Sequence, residues 1–395
     1  MILLRVILAF LVMFLLPDWY IHRTYLRNTG RRWIKRLFWS PTILLLLAFA
    51  VIAIFHNAYR NVTGIFLIVC LCVAIPKVAF TLSSLFIRFC GWTARKCHVP
   101  YNRTYGKRAE VLLSTAIALV SFVYVLFGAI KGKENFQVRE VTFRSPDLPE
   151  AFRGYRILQI SDLHTGSWTG NGKAIQKAIG ICNSLKPDLA VFTGDLVNSN
   201  ADEMLEFMPE LSQLTAKDGV YSVLGNHDYA MYSRWKSEAD RQNNIDSLIS
   251  RERRMGWHML NNAHAILRRG NDSIALIGVE NSGNPPFPDR GNLPEALSGT
   301  DGMFKVLLSH DPTHWRREVL PKSDIQLTLS GHTHDMQISL FGFSVSRFIY
   351  PEHNGLYLEG KRGLYVNIGL GYVLFPMRLG AWPEITVITL EKDGN

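Results

Sequence analysis

Four long apolar stretches fill the first third of the chain, and they constrain the fold more than any other feature of the sequence. Each stretch is close to the roughly 20 residues that a helix needs to cross a lipid bilayer. We therefore predict a transmembrane region of about four helices over residues 1–130, a linker over 131–152 and a further domain over 153–395. The apolar stretches are residues 1–21, 38–55, 64–87 and 110–130.

Two of the predicted spans are irregular. The first is interrupted by Arg5 and by Pro17-Asp18, so a signal peptide is the alternative, although no small-residue cleavage site follows it. The third contains Pro76-Lys77, and a charge at membrane depth is costly. Two interpretations are open. Lys77 contacts a lipid or its headgroup within the membrane, or the span ends near Pro76 and residues 79–89 lie in the interface as an amphipathic segment.

Basic residues are concentrated in the loops after the first and third spans, and short loops rich in Lys and Arg remain in the cytoplasm. We therefore expect residues 153–395 on the extracytoplasmic side of a bacterial inner membrane. These loops account for much of the net charge of +10, so the expected partner is the lipid bilayer. Nucleic-acid binding is not expected, because basic and aromatic residues are not interleaved in the C-terminal half. The sequence indicates no protein partner.

Five short polar blocks in the C-terminal domain contain the seven candidate metal ligands. Three blocks follow apolar runs of strand length, at residues 157–160, 189–192 and 221–224, so these side chains lie where strands end. His164, Asp195 and Asn226 follow one another at intervals of 31 residues, about one strand, helix and loop. Ligands bind at this edge of open α/β sheets. The blocks are Asp162-Leu163-His164, Gly194-Asp195, Gly225-Asn226-His227-Asp228, Ser309-His310-Asp311 and Gly331-His332-Thr333-His334.

Strand-like and helical segments alternate through this domain, which favours one α/β domain with two sheets. The segment 281–302 is rich in Pro and Gly and is predicted to be a long loop without regular structure. It either rims a pocket or is a plain connector. Helices are predicted at 172–185, 202–216 and 235–255, and later strands at 273–279, 303–308, 325–330, 364–368 and 384–390.

The ligand types indicate the chemistry. Carboxylate, imidazole and amide groups suit Mn, Fe, Zn or Mg, with Mn favoured, and no cysteine lies in any block. Seven ligands are enough for two divalent metal ions. Two ions about 3.5–4 Å apart can activate a bridging water and hold the oxygens of an in-line displacement, as phosphate ester hydrolysis requires. One carboxylate must bridge them, and Asp195 is the predicted bridge.

The five blocks, in this order, resemble the signature of the calcineurin-like metallophosphoesterases, D-x-H, G-D, G-N-H-[DE], H and G-H-x-H. The resemblance covers roughly residues 153–391. It is strongest to the membrane-anchored bacterial branch of YkuE and YaeI and to the transmembrane metallophosphoesterases. It implies a four-layer αββα sandwich and a hydrolase of phosphate esters or anhydrides. One departure is Asp335-Met336, where relatives usually carry Gly-Gly, and the larger pair is expected to narrow the mouth of the site.

The resemblance also implies a role for each candidate residue. His227, oriented by Asp228, is implied to face the phosphate and to stabilise the transition state or protonate the leaving oxygen. No covalent intermediate is needed. The implied ligands of the first metal are Asp162, His164, Asp195 and His334, and those of the second are Asp195, Asn226, His310 and His332.

Three further residues are candidates for substrate contact. Asn226 is expected to serve substrate as well as metal. Arg378 either recognises phosphate through its guanidinium or forms a surface salt bridge. His314 either touches substrate near the site entrance or is an ordinary partly buried histidine.

The substrate is open among three hypotheses. A lipid-linked phosphoester or pyrophosphate is the leading one, because the membrane region places the site near a bilayer. The alternative is the pyrophosphate of UDP-2,3-diacylglucosamine in lipid A synthesis, which conflicts with the predicted topology. A non-catalytic phospholipid sensor is the third, and the intact metal blocks argue against it.

Overall fold

The computed structural model describes residues 2–55, 60–99 and 102–393. The chain divides into two compact units, each of which is described by itself. The helical unit contains the chain up to Ile130 together with Leu374–Met377. The α/β unit contains Lys131–Val373 and the chain from Arg378 onwards.

The helical unit is built from the four predicted spans. Within the described residues, three helical segments are long and apolar enough to cross a membrane, Arg32–Ile54, Val62–Lys96 and Thr104–Ile130. The third helix runs through Pro76 without a break, and residues 79–89 continue the same helix. The helices are α1 Ile2–Ile21, α2 Arg32–Ile54, α3 Arg60–Lys96 and α4 Arg103–Ile130.

Lys77 forms an ion pair inside the helical unit. Its Nζ lies 2.7 Å from Asp18 Oδ1 and donates to Thr42 Oγ1 at 2.8 Å, and Thr42 in turn donates to Asp18 Oδ2 at 2.5 Å. Asp18 and Thr42 are fully buried. A charged side chain in an apolar environment is stabilised when it has such partners. The two polar residues that make the first and third spans irregular are therefore partners across α1 and α3.

Two six-stranded sheets form the centre of the α/β unit. The first has the strand order β1-β12-β2-β3-β4-β5 and the second β10-β11-β9-β8-β7-β6. The strands are β1 Gln137–Ser145, β2 Tyr155–Ile160, β3 Leu189–Phe192, β4 Val220–Ser222, β5 Trp257–Met259, β6 Ala263–Arg269, β7 Asp272–Gly278, β8 Phe304–Leu308, β9 Leu327–Ser330, β10 Gly355–Glu359, β11 Arg362–Val366 and β12 Glu384–Lys392.

The α/β unit has four layers, with the two sheets in the middle and helical segments on either side. An apolar cluster fills each of the three spaces between these layers. Between the sheets, Ile157 and Val191 of the first sheet pack with Leu329 of the second. Helices α5 and α7 cover the outer face of the first sheet, and α8 with the turn at Trp315–Val319 covers the second. The predicted αββα sandwich is confirmed. The remaining helices are α5 Gly172–Ser184, α6 Met208–Leu211, α7 Glu238–Arg254, α8 Leu293–Leu297 and α9 Leu320–Lys322.

Three segments differ from the prediction. The predicted linker 131–152 contains β1, which pairs in parallel with β12 and buries Phe143 but exposes most of its other side chains. The predicted loop 281–302 contains α8, capped by Asn292. The predicted helix 202–216 is a 3₁₀ helix over Ala201–Phe207 followed by the short α6.

Candidate metal centre

The five polar blocks come together at one edge of the two sheets. Asp162 and His164 follow β2, Asp195 follows β3, and Asn226 follows β4, three neighbouring parallel strands of the first sheet. His310 follows β8, and His332 and His334 follow β9, which are parallel neighbours in the second sheet. Because parallel strands end at the same edge, the loops of both sheets meet there.

The backbone around these residues is strained. Asp162, His164, Asp195, His332 and His334 all have φ between 50° and 75°. Side chains with a Cβ rarely adopt this left-handed conformation, and it costs of order 1–3 kcal/mol per residue. Five such residues at one sheet edge indicate that the position of these side chains has been fixed at the expense of stability.

The glycines of the blocks are required by close packing. A Cβ on Gly331 would lie 2.3 Å from Asp162 Oδ2, and one on Gly225 would lie 2.3 Å from Asp195 Oδ1. Any other residue would displace these carboxylates. Both glycines therefore hold the carboxylates at the site.

A first group of ligand atoms surrounds His164 Nε2. It lies 3.0 Å from His334 Nε2 and 3.7 Å from Asp195 Oδ2, and His334 Nε2 lies 3.3 Å from Asp162 Oδ1. All four side chains are buried.

A second group surrounds His310 Nε2. This atom lies 3.2 Å from Asp195 Oδ2 and 3.1 Å from Asn226 Oδ1, and His332 Nδ1 lies 2.8 Å from the same Asn226 oxygen. Asp195 Oδ2 thus faces both groups. Its other oxygen, Oδ1, accepts a hydrogen bond from the backbone N–H of His227 at 2.8 Å.

The electrostatics of the centre fit divalent cations. Burial lowers the pKa of His164 to about 3 and that of His332 to about 4, so both imidazoles are neutral at pH 7. Burial also opposes a charge on His310, but the Asp195 carboxylate outweighs it and raises the pKa of His310 to about 10. His310 is therefore protonated beside the Asp195 carboxylate in the metal-free protein. A bound cation would replace this proton. Neutral imidazoles and buried carboxylates that converge in two groups are suitable for a dinuclear metal site.

His227 lies beside the first group with its ring held in place. Its Nδ1 is 2.8 Å from the carbonyl oxygen of Asn198, so Nδ1 donates and Nε2 is left to face the site. The ring packs against Tyr232 at 4.2 Å and His164 at 4.7 Å between centroids. The partner that orients His227 is therefore the Asn198 carbonyl.

The prediction that Asp228 orients His227 is wrong. Its side chain is fully buried and accepts from four backbone N–H groups instead of contacting the His227 ring. This carboxylate ties the loop after β3 to the loop after β4. The donors are Asp195, Leu196 and Val197 at 2.8–3.2 Å and Gly225 at 2.9 Å.

Two family models match the chain. Residues 4–133 match the model "Probable Calcineurin-like phosphoesterase, transmembrane domain", and residues 155–336 match "Calcineurin-like phosphoesterase". The uncharacterised metallophosphoesterase YkuE of Bacillus subtilis is 32% identical over 269 residues, which cover 65% of this chain and 86% of YkuE. The chain belongs to the calcineurin-like metallophosphoesterase family. The resemblance that the sequence predicted, including its membrane-anchored branch, is confirmed.

Other metallophosphoesterases match different portions of the chain. A "Transmembrane protein with metallophosphoesterase domain" from Danio rerio is 32% identical over 289 residues, 70% of this chain and 63% of that protein. The chain therefore spans a little under two thirds of this relative. An uncharacterised metallophosphoesterase of Campylobacter jejuni is 24% identical over 394 residues, 96% of each chain, so it matches both units.

The position of Arg378 fits neither of its two predicted roles. Its side chain is fully buried, and its guanidinium donates to five backbone carbonyls at 2.5–3.3 Å, those of Ile368, Gly369, Gly371, Ala381 and His334. Neither a phosphate contact nor a surface salt bridge fits this geometry, because the donors are used within the protein. Arg378 instead joins the loop after β11 to the His334 segment of the metallophosphoesterase signature.

His314 does not face the site. It is fully buried, with Nδ1 2.9 Å from Ser309 Oγ and Nε2 3.2 Å from Glu318 Oε2. The interpretation that it touches substrate is wrong, and that of an ordinary buried histidine holds.

The turn after His334 has a left-handed backbone conformation. Asp335 and Met336 have φ of 47° and 52°, in the region that glycine adopts freely. The Asp335-Met336 pair adopts this turn at a cost in backbone strain. Asp335 is buried and accepts from Asn354 Nδ2 at 3.1 Å.

Aromatic residues beside the second group were not predicted from the sequence. Tyr350 Oη lies 2.9 Å from His332 Nε2, and Tyr232 Oη accepts from Asn226 Nδ2 at 2.8 Å. Phe287, in the segment 281–302, packs edge-on against the His332 ring at 4.7 Å. That segment therefore borders the site and is not a plain connector.

Proposed function

We propose that the protein is a membrane-anchored phosphoesterase that hydrolyses a lipid-linked phosphoester or pyrophosphate with two divalent metal ions, manganese being favoured. The observation that carries the proposal is Asp195 Oδ2, which lies within 3.7 Å of ligand atoms of both groups. One carboxylate oxygen shared between two ligand groups is the arrangement that a bridged pair of cations requires.

The ligand assignment follows from the two groups of atoms. When bound, the two ions would supply an activated water and would stabilise the charge on the phosphoryl oxygens. The first group is Asp162, His164, Asp195 and His334, and the second is Asp195, Asn226, His310 and His332.

His227 is the proposed acid for the leaving oxygen. Because the Asn198 carbonyl holds the proton on Nδ1, Nε2 carries a proton only in the imidazolium form. That form donates to the departing alkoxide, while the neutral form is left behind. Asn226 serves as a ligand and as a neighbour of the phosphoryl group, and Tyr232 fixes its amide through the contact at 2.8 Å.

A lipid-linked substrate is supported by the membrane-spanning helices of the same chain. The positive-inside pattern of the loops favours a site on the extracytoplasmic side of a bacterial inner membrane. The pyrophosphate of UDP-2,3-diacylglucosamine is the alternative substrate and needs the opposite orientation. A phospholipid sensor without turnover is less favoured, because both ligand groups and His227 are in place.

The test is manganese-dependent hydrolysis by the full-length protein in detergent, with Asp195→Asn as control. Three substrates distinguish the proposals: bis-p-nitrophenyl phosphate, a phospholipid and a UDP-linked glycolipid. Activity on the diester and phospholipid that is lost in the variant supports the proposal. Selective cleavage of the glycolipid favours the alternative substrate, and no activity on any of the three supports the sensor.

A further inference from the structure

The loop that follows the last ligand pair exposes an unusual amount of apolar surface. Within the described residues of the α/β unit, six of the eleven exposed large apolar side chains lie between residues 340 and 349. We refer to residues 338–350 as the apolar loop. Its exposed members are Leu340, Phe341, Phe343, Val345, Phe348 and Ile349. Exposed apolar patches of this kind mark binding surfaces for proteins or membranes.

The apolar loop buries its serine side chains and exposes most of its apolar ones. Ser344 and Ser346 are 1% and 0% exposed, whereas Val345 between them is 56% exposed and Phe348 is 76% exposed. Ser344 Oγ donates to the carbonyl of Asp335 at 2.8 Å and accepts from the N–H of Ser346 at 3.1 Å. The serines thus fix the loop to the protein, and the apolar side chains are directed away from it. This pattern is the reverse of that of a water-facing loop.

The tip of the loop carries an aromatic residue where the turn favours a small one. Leu340 and Phe343 exchange two backbone hydrogen bonds of 2.9 Å across Phe341 and Gly342. Both central residues have positive φ, 53° and 78°, which defines a two-residue turn that favours Asn-Gly. Phe341 in this conformation is strained and fully exposed, so it contributes little to folding. A strained, exposed aromatic side chain suggests a ligand outside the chain.

The charge of the loop suits an anionic lipid surface. Residues 338–350 contain no Asp or Glu, and Arg347 is exposed with its guanidinium 5.4 Å from the Phe343 ring. Aromatic side chains beside a cation are typical of segments at the headgroup level of a bilayer. The same chain also carries three described helical segments that are long and apolar enough to cross a membrane.

The loop is directly connected to the metal centre. It begins four residues after His334, and Tyr350 at its end contacts His332 Nε2 at 2.9 Å. The N–H of Tyr350 donates to the carbonyl of Ser346 at 2.8 Å, which ties the aromatic contact to the buried serines. The loop therefore borders the second ligand group through Tyr350.

We propose that the apolar loop inserts into the interfacial region of an anionic bilayer and contacts acyl chains, so that a lipid phosphoester enters the metal centre headgroup first. The substrate-delivery part of this proposal rests on the proposed phosphoesterase function, whereas insertion of the loop does not. A second copy of this chain bound at the same surface is the competing outcome.

The decisive experiment places a photoreactive benzoylphenylalanine at position 341 or 348 of the full-length protein in phosphatidylcholine nanodiscs that contain phosphatidylglycerol. The matched control places it at position 358, because Leu358 is also an exposed apolar residue of the α/β unit. Irradiation is expected to give an adduct with one phospholipid at 341 and 348 and none at 358. No lipid adduct at 341 and 348, an equal adduct at 358, or a covalent dimer of the chain would overturn the proposal.

A kinetic experiment separates insertion from catalysis. The double variant Phe341→Asn, Phe348→Ser removes two aromatic side chains, and asparagine suits the turn at 341, so the loop is expected to remain folded. KM for a phospholipid in vesicles is expected to rise about tenfold or more, while turnover of bis-p-nitrophenyl phosphate stays unchanged. Leu358→Ser should change neither. An unchanged KM for the vesicle substrate contradicts delivery by the loop.

The two experiments distinguish failure of the loop from failure of the proposed function. If the wild-type protein hydrolyses neither substrate, the phosphoesterase proposal fails and the photoadduct still decides whether the loop inserts. If the wild-type protein is active and no adduct forms at 341 or 348, the loop proposal alone fails.

Discussion

Substitution of Arg378 distinguishes a structural role from a substrate-binding role. The fully buried position of Arg378 predicts that its substitution lowers stability, whereas its sequence motif suggested that substitution would weaken substrate binding. In Arg378→Ala the carbonyls of Ile368, Gly371 and Ala381 lose their guanidinium donor. A buried polar group without its partner costs about 1–3 kcal/mol. Water that enters the vacated space recovers part of this, so we expect a net loss of about 3–5 kcal/mol in the free energy of unfolding. This is a large share of the roughly 5–15 kcal/mol that stabilises a typical domain.

The assay is denaturant unfolding of the full-length protein in detergent, combined with steady-state kinetics on bis-p-nitrophenyl phosphate below the unfolding transition. Arg378→Ala should unfold at a lower denaturant concentration than the wild type. The unfolding midpoint of Arg378→Lys should lie between those of Arg378→Ala and the wild type, because lysine has fewer hydrogen-bond donors than arginine. KM of the folded fraction should not change. An unchanged unfolding midpoint together with a raised KM would refute the structural role and restore the phosphate contact.

Three further predictions concern the site and the helical unit. His227→Ala should retain both metal ions by mass spectrometry yet lose about 100-fold or more in kcat, and loss of metal would show that His227 is a ligand. Because His310 is protonated below a pKa of about 10 in the metal-free protein, apparent Mn affinity should fall about tenfold for each unit of pH between 9 and 7. Calorimetry in two buffers should detect about one proton released, and no release would contradict this. Lys77→Met should destabilise the helical unit by about 3–5 kcal/mol by leaving Asp18 unpaired, and Asp18→Asn in the same chain should restore much of the loss.

The position of the metal centre could be predicted because its residues follow strands directly. His164, Asp195 and Asn226 lie one repeating unit apart, and a parallel sheet brings the ends of such units to one edge. The family signature then provided the partition into two ligand groups that the distances match. Local sequence was sufficient here because each ligand lies in a loop that follows a strand.

Contacts between distant segments could not be predicted. Asp228 is adjacent to His227 in sequence, but its carboxylate reaches the backbone of the loop after β3 instead. Arg378 follows a proline in a pattern that suggests a surface site, and only the fold brings five carbonyl groups around it. The pairing of Lys77 with Asp18 depends on how two helices pack, and sequence gives no signal for that.

The strand β1 was missed for a related reason. It lies at the edge of the first sheet, and Arg139, Glu140 and Arg144 give it the composition of a linker. Its apolar residue Phe143 packs against Gly363 of the second sheet, a contact between residues far apart in sequence. Edge strands of this kind carry charges that protect them from association, and the same charges hide them from pattern analysis.

Asp195 is proposed to join two metal sites, and the most direct test is the metal content of the full-length protein after loading with manganese. Elemental analysis should give two ions per chain for the wild type and one each for His334→Ala and His310→Ala, which belong to different groups. Asp195→Asn should lose both. A wild type with a single ion, or an Asp195→Asn variant that keeps two, would contradict the claim.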